Sequence, residues 1–93
     1  MKKTKLSEYL YEVRTHAQLT QNDVAQALGY STPQFISNWE RGLSHPPLDS
    51  LKKLAALYKI SSDELFKIFL QTSIEHVEES LTKQFYKKAR KKA

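Results

Sequence analysis

Gln34, Ser37, Asn38 and Arg41 recur at i, i+3, i+4 and i+7, the spacing that places four side chains on one face of an α-helix. The face they make is amide, hydroxyl and guanidinium, without lysine or carboxylate. Gln and Asn can pair bidentately with adenine N6 and N7, Arg with guanine O6 and N7, and Ser with either. An ordinary solvated helix face more often carries Glu and Lys in i, i+4 pairs. Opposite this face lie Phe35, Ile36 and Trp39, which would turn it outward. Two readings stand on chemistry alone: a surface that reads base edges, or a neutral solvated one.

Other chemistry is poorly provided for. The 93 residues contain no cysteine, so no disulfide framework, thiolate nucleophile or thiolate ligand is available. His16, His45 and His76 lack metal-ligand spacing, and no Gly-rich phosphate loop occurs. Asp23, Asp49, Asp63 and Glu64 read as charges at helix N-termini, where a carboxylate meets free N–H groups, not as paired catalytic carboxylates. The expectation is a protein that is not an enzyme and takes no metal or cofactor.

The elements that position these residues read as all helical, with two Gly, three Pro and no long alternating run. Helix one is expected over about 7–17, with Leu6, Leu10, Val13 and Ala17 on its inner face. Helix two follows Thr20, an N-cap residue with Asp23 three positions on, and stops at Gly29. Helix three is expected to open with Thr32 as N-cap and Pro33 at the first helical position, and to end at Gly42. The other opening has Ser31 as N-cap and Gln34 as its capping-box partner, which would draw Gln34 from the outer face. Helix four is expected over about 48–58, burying Leu48, Leu51, Leu54, Ala55 and Tyr58, and Ser61-Ser62-Asp63-Glu64 is a capping box for helix five.

Beyond Leu70 a second start, Thr72-x-x-Glu75, precedes Ile74, Val77, Leu81 and Phe85 at a/d-like spacing. The chain divides at about residue 70 into a compact unit, 1–70, and an amphipathic basic helix, 71–93. That stripe can lie on the protein's own core or pair with a second copy; so small a domain has little surface to cover it, which points to dimerisation. A membrane surface is the least suited partner, because only four spaced apolar residues are offered. The net charge of +5 is concentrated at the chain ends: within 20–46 only Asp23, Glu40 and Arg41 are charged. Lys87, Lys88, Arg90, Lys91 and Lys92 could neutralise phosphates or stay in solvent. With no signal peptide and no 18-residue apolar run, a cytoplasmic protein is expected.

The run from Leu19 to Gly29 (LTQNDVAQALG), followed by Ile36-Ser37-Asn38-Trp39-Glu40-Arg41-Gly42 and Pro46, resembles the Cro/CI-type (XRE) helix-turn-helix family of phage and bacterial repressors. The resemblance spans about residues 6–69 and implies an all-α, five-helix lambda-repressor-like domain with a C-terminal helical extension. By its chemistry and its place on the outer face, Arg41 is expected to contact bases. The resemblance implies that Gln34 and Asn38, with Ser37 beside them, contact bases in double-stranded DNA, and that Thr20 and Gln21, together with the segment from Arg41 through Ser44 and His45, contact phosphates. It also implies a structural salt bridge between Arg14 and Glu40. The turn between Gly29 and Ile36 is one residue longer than in the shortest family members. The function implied is a sequence-specific repressor acting by operator occupancy, as a homodimer on two half-sites. Two other functions fit the same fold: an antitoxin with a protein partner, and an interaction module that has kept the helix-turn-helix shape.

Overall fold

The computed structural model describes residues 3–92, with side chains described through residue 87. Five α-helices are present: α1, Lys5–His16; α2, Gln21–Leu28; α3, Gln34–Glu40; α4, Leu51–Tyr58; and α5, Ser62–Lys92. A single 3-10 turn, Leu48–Ser50, leads into α4, and no strand occurs among the described residues. This is the all-α, lambda-repressor-like arrangement that the sequence implies.

All five helices contribute to one core. Leu6 and Leu10 of α1, Val24 and Ala25 of α2, Ile36 and Trp39 of α3, Leu51, Leu54, Ala55 and Tyr58 of α4, and Leu65 of α5 are buried together. The seven-residue α3 is far too short to persist alone, so the burial of Ile36 and Trp39 is what holds it helical. Leu48 departs from expectation. It sits at 59% exposure in the 3-10 turn Leu48–Ser50, ahead of the regular helix that starts at Leu51. Phe35 is also half exposed and lies against Tyr30, with ring centroids 5.0 Å apart.

The helix starts follow side-chain capping. α1 begins two residues before its expected start, because Thr4 and Ser7 form a reciprocal box: Ser7 N–H donates to Thr4 Oγ1 (3.0 Å) and Thr4 N–H to Ser7 Oγ (2.8 Å). Thr20 and Asp23 do the same for α2, at 2.9 and 2.8 Å. At α3, Pro33 and not Thr32 is the capping residue, since its carbonyl accepts the first helical bond, from Ser37 N–H at 3.0 Å. Thr32 Oγ1 accepts from Gln34 N–H at 3.3 Å, so its hydroxyl still serves the helix from one position further out. Ser61 caps α5 through Glu64 N–H, at 3.2 Å.

The first four helices all end in the same way. A residue with positive φ follows the helix, and the next N–H reaches back to the carbonyl five residues earlier. The positive-φ residues are Gln18, Gly29, Gly42 and Lys59, and the bonds run from Leu19, Tyr30, Leu43 and Ile60 to Arg14, Ala25, Asn38 and Ala55. Gln18 and Lys59 adopt this left-handed backbone without the freedom of glycine, at a cost of about 1–2 kcal/mol each. Leu19, Tyr30 and Ile60 then turn inward and pack against the core.

α5 does not restart at Thr72-x-x-Glu75 but runs unbroken for 31 residues, roughly 46 Å, so residue 70 falls within it. Thr72 is buried, and His76 lies 5.5 Å from the His45 ring. From Leu81 through Lys87 every residue is exposed, which accounts for the 53 Å long dimension of the molecule.

Candidate nucleic-acid interface

Behind α3 lies a charged junction. Arg14 of α1 donates to Glu40 of α3 through two nitrogens, Nε to Oε2 at 2.7 Å and Nη2 to Oε1 at 3.0 Å. Its third arm, Nη1, donates to the Leu19 carbonyl in the turn before α2, at 2.8 Å. Gln21, the first residue of α2, adds Nε2 to Glu40 Oε1 at 3.0 Å. The Arg14 and Glu40 side chains are 11% and 4% exposed, so a bidentate pair with every arm used here replaces water. The hydrogen bond to Glu40 raises the Arg14 pKa above its ordinary value, against burial. Tyr58 of α4 lies beside the pair, and burial together with the Glu40 charge pushes its phenol upward. Three helices are thus fixed at one point, and the angle between α2 and α3 is set there.

On the outer side, Gln34, Asn38 and Arg41 form a hydrogen-bonded chain. Gln34 Nε2 and Arg41 Nη2 both donate to Asn38 Oδ1, each at 2.9 Å. Ser37 is half-buried beside them. The chain changes what each group can offer. Both lone pairs of Asn38 Oδ1 are engaged, so Asn38 presents only N–H donors, suited to guanine O6 and N7 or thymine O4. Gln34 keeps a free carbonyl and one N–H, the pair that adenine requires. Gln34 does not turn back to cap Ser31; its amide stays on the outer face. Arg41 Nε is buried and unpaired, while Nη1 remains open to an acceptor.

The residues implied in phosphate contact fall in two places. Thr20 is exposed at the start of α2, but its N–H and the N–H of Asp23 are used within their capping box. The backbone bond from Thr20 holds the Asp23 carboxyl below its usual range. What remains for an anion is the N–H pair of Gln21 and Asn22. The side-chain amide of Gln21 reaches inward to Glu40 as well as lying at this end. Ser44 is exposed in the loop after α3. His45 is half-buried against α5, with ring centroids 6.3 Å from Phe69 and 5.5 Å from His76, and this burial and the His76 charge lower its pKa. Nothing in the sequence announces that α5 forms the floor of this loop, because 31 positions separate the two histidines. No cluster of three or more His, Cys, Asp or Glu among the described residues could hold a metal.

Two helices joined at Gly29, the second buried through Ile36 and Trp39 and presenting a neutral hydrogen-bonding face outward, define a helix-turn-helix domain. A family model described as Helix-turn-helix matches residues 10–65, more than half of the chain, and the protein belongs to this family in its Cro/CI (XRE) form. The chain is 37% identical over 59 residues to the HTH-type transcriptional activator BcrR of Enterococcus faecalis, covering 63% of this chain and 28% of that protein. It is 38% identical over 63 residues to the HTH-type transcriptional regulator DdrOP3 of Deinococcus deserti, covering 68% and 48%. The chain therefore spans less than half the length of either relative. No helix among the described residues is long and apolar enough to cross a membrane.

Proposed function

We propose that the protein is a sequence-specific double-stranded DNA-binding regulator that represses transcription by occupying its operator from the cytoplasm. The observation that carries this reading is the Gln34–Asn38–Arg41 chain on the face of α3 opposite Ile36 and Trp39. It is neutral apart from Arg41, organised, and held outward by a rigid junction, as direct readout in the major groove requires.

In this reading Gln34, Ser37, Asn38 and Arg41 meet base edges, while Thr20, Gln21, Ser44 and His45 set register on the phosphates. Two copies, paired through Ile74, Val77, Leu81 and Phe85, occupy half-sites about one DNA turn apart. Occupancy needs only this surface and this pairing, which is why repression is favoured over activation, although one relative is named an activator.

Selection of bound sequences from a random duplex pool tests the reading in one step. A two-fold symmetric site with half-sites about 10 base pairs apart is expected. Gln21→Ala should weaken binding to all sequences alike, leaving the selected consensus unchanged. Absence of any duplex binding at low salt, where phosphate contacts are strongest, would remove the proposal. Placing the selected site over a promoter and measuring transcription with and without the protein decides its sign.

A further inference from the structure

α3 exposes one large apolar side chain, Phe35, at 52%. Single exposed apolar residues are ordinary on protein surfaces. Phe35 differs in where it stands and in what holds it. It lies in the first turn of α3, about 60° round the helix from Asn38 and about 40° from Trp39, at the border between the outer and the buried face. Its ring lies against Tyr30, with centroids 5.0 Å apart, and Tyr30 in turn packs edge-on with Trp39 at 6.1 Å. Trp39 is buried, and the Tyr30 backbone is tied to α2 by its N–H bond to the Ala25 carbonyl, at 2.8 Å. Three aromatic rings therefore run from the core to the rim of the outer face, and the last of them is braced from behind.

We propose that Phe35 reads the C5-methyl group of a thymine in the major groove, setting sequence preference by apolar contact beside the polar readout of Gln34 and Asn38. This rests on the DNA-binding reading above and adds a residue to it. Base edges in the major groove offer hydrogen-bond donors and acceptors at every pair, but only one apolar group, the thymine methyl. A phenyl ring pressed on an amino or carbonyl edge strips its water and returns no hydrogen bond. Against a methyl it takes apolar surface of both partners out of water. The second helix of a helix-turn-helix meets base edges through its opening turn, which is where Phe35 stands. Because Tyr30 already restrains the ring, little side-chain freedom is left to lose on contact. Gln34 and Asn38 are joined at 2.9 Å, so the polar groups beside the ring are likewise held in place.

Replacing thymine by deoxyuridine deletes only that methyl and so isolates the contact. Each thymine of the selected operator is replaced in turn, and duplex affinity is measured at one salt concentration. The proteins compared are full-length wild type, Phe35→Ala, Phe35→Leu and Gln21→Ala. One thymine per bound copy is expected at which deoxyuridine weakens wild type about 4-fold, the worth of one methyl group removed from water. At that position Phe35→Ala should be nearly indifferent, Phe35→Leu intermediate, and Gln21→Ala fully sensitive from a weaker starting affinity. Melting curves check that Phe35→Ala is folded, as expected while Ile36 and Trp39 are kept; if it is not, Phe35→Leu carries the comparison. A selected operator without thymine, or wild type indifferent to deoxyuridine at every position, would overturn the proposal with no variant needed. Equal deoxyuridine penalties in wild type and Phe35→Ala would assign the methyl to another side chain and overturn it too. Each of these outcomes leaves DNA binding itself intact. Failure of wild type to bind any duplex at low salt would instead remove the reading on which the proposal rests.

Discussion

α3 carries two hydrogen-bonded networks, one on each side, and they are built from opposite materials. The inner network, Arg14, Glu40 and Gln21, is charged, buried and bidentate, and ties three helices together. The outer one, Gln34, Asn38 and Arg41, is mostly neutral, partly exposed and confined to one helix. A buried ion pair is costly to break and so fixes geometry. Neutral amides cost less to desolvate than charges and can exchange their hydrogen bonds for those of a base edge, so they suit recognition. The same seven-residue helix is rigid behind and adaptable in front.

The largest effect expected follows from breaking the inner network. Glu40→Ala strands the Arg14 guanidinium in a buried site and should lower unfolding stability by about 3–5 kcal/mol, read from denaturant midpoints. DNA affinity should fall with it for every sequence. A loss below about 1 kcal/mol would mean that the junction is solvated like a surface pair.

Asn38→Ala tests the outer network. It should cost about 1–3 kcal/mol of discrimination at one operator position, measured by competition between single-base variants, while thermal stability stays near wild type. Because Asn38 Oδ1 is engaged by Gln34 and Arg41, removing it also frees both neighbours, so preference should blur at adjacent positions as well. Equal loss of stability and specificity would erase the contrast between the two networks.

Lys59→Gly addresses a helix end remote from both. Relieving the left-handed backbone should stabilise the fold by about 0.5–1 kcal/mol, seen as a rise in melting temperature, with no change in DNA binding. The smallest effect expected concerns pH. His45 is held below its usual pKa in the free protein by burial and by His76, itself flanked by Glu75, Glu79, Lys3 and Lys5. Its contribution to folding stability is therefore present above the ordinary histidine value and is lost as pH falls through it. A phosphate beside His45 would raise that pKa, so binding would take up a proton and tighten modestly as pH falls from about 7.5 to about 6. His45→Gln should flatten that slope; an unchanged slope would place His45 away from the phosphates.

The four similar helix ends show which features a sequence exposes. Gly29 and Gly42 mark two of them in advance, since glycine is the residue that adopts positive φ most cheaply. Gln18 and Lys59 give no such sign, and only the inward apolar residues that follow, Leu19 and Ile60, hint at the same turn. The early start of α1 was hidden for a related reason: Ser7 takes the capping-box role that Glu or Gln more often fills. Leu48 reads as a core position in the sequence because the apolar pattern of α4 extends back through the 3-10 turn, where the regular helix has not yet begun.

Sequence alone determined the all-helical fold, the order of the helices, and which face of α3 looks outward, because each of these depends on local capping and on a 3.6-residue period. The Arg14–Glu40 pair was legible only through family resemblance. Tertiary structure decided the rest: that Gln21 joins this pair, that Asn38 presents donors alone, and that His45 rests on α5. These are contacts between groups far apart in the chain or sharing one acceptor, and neither spacing nor residue type encodes which of several available partners a polar atom takes.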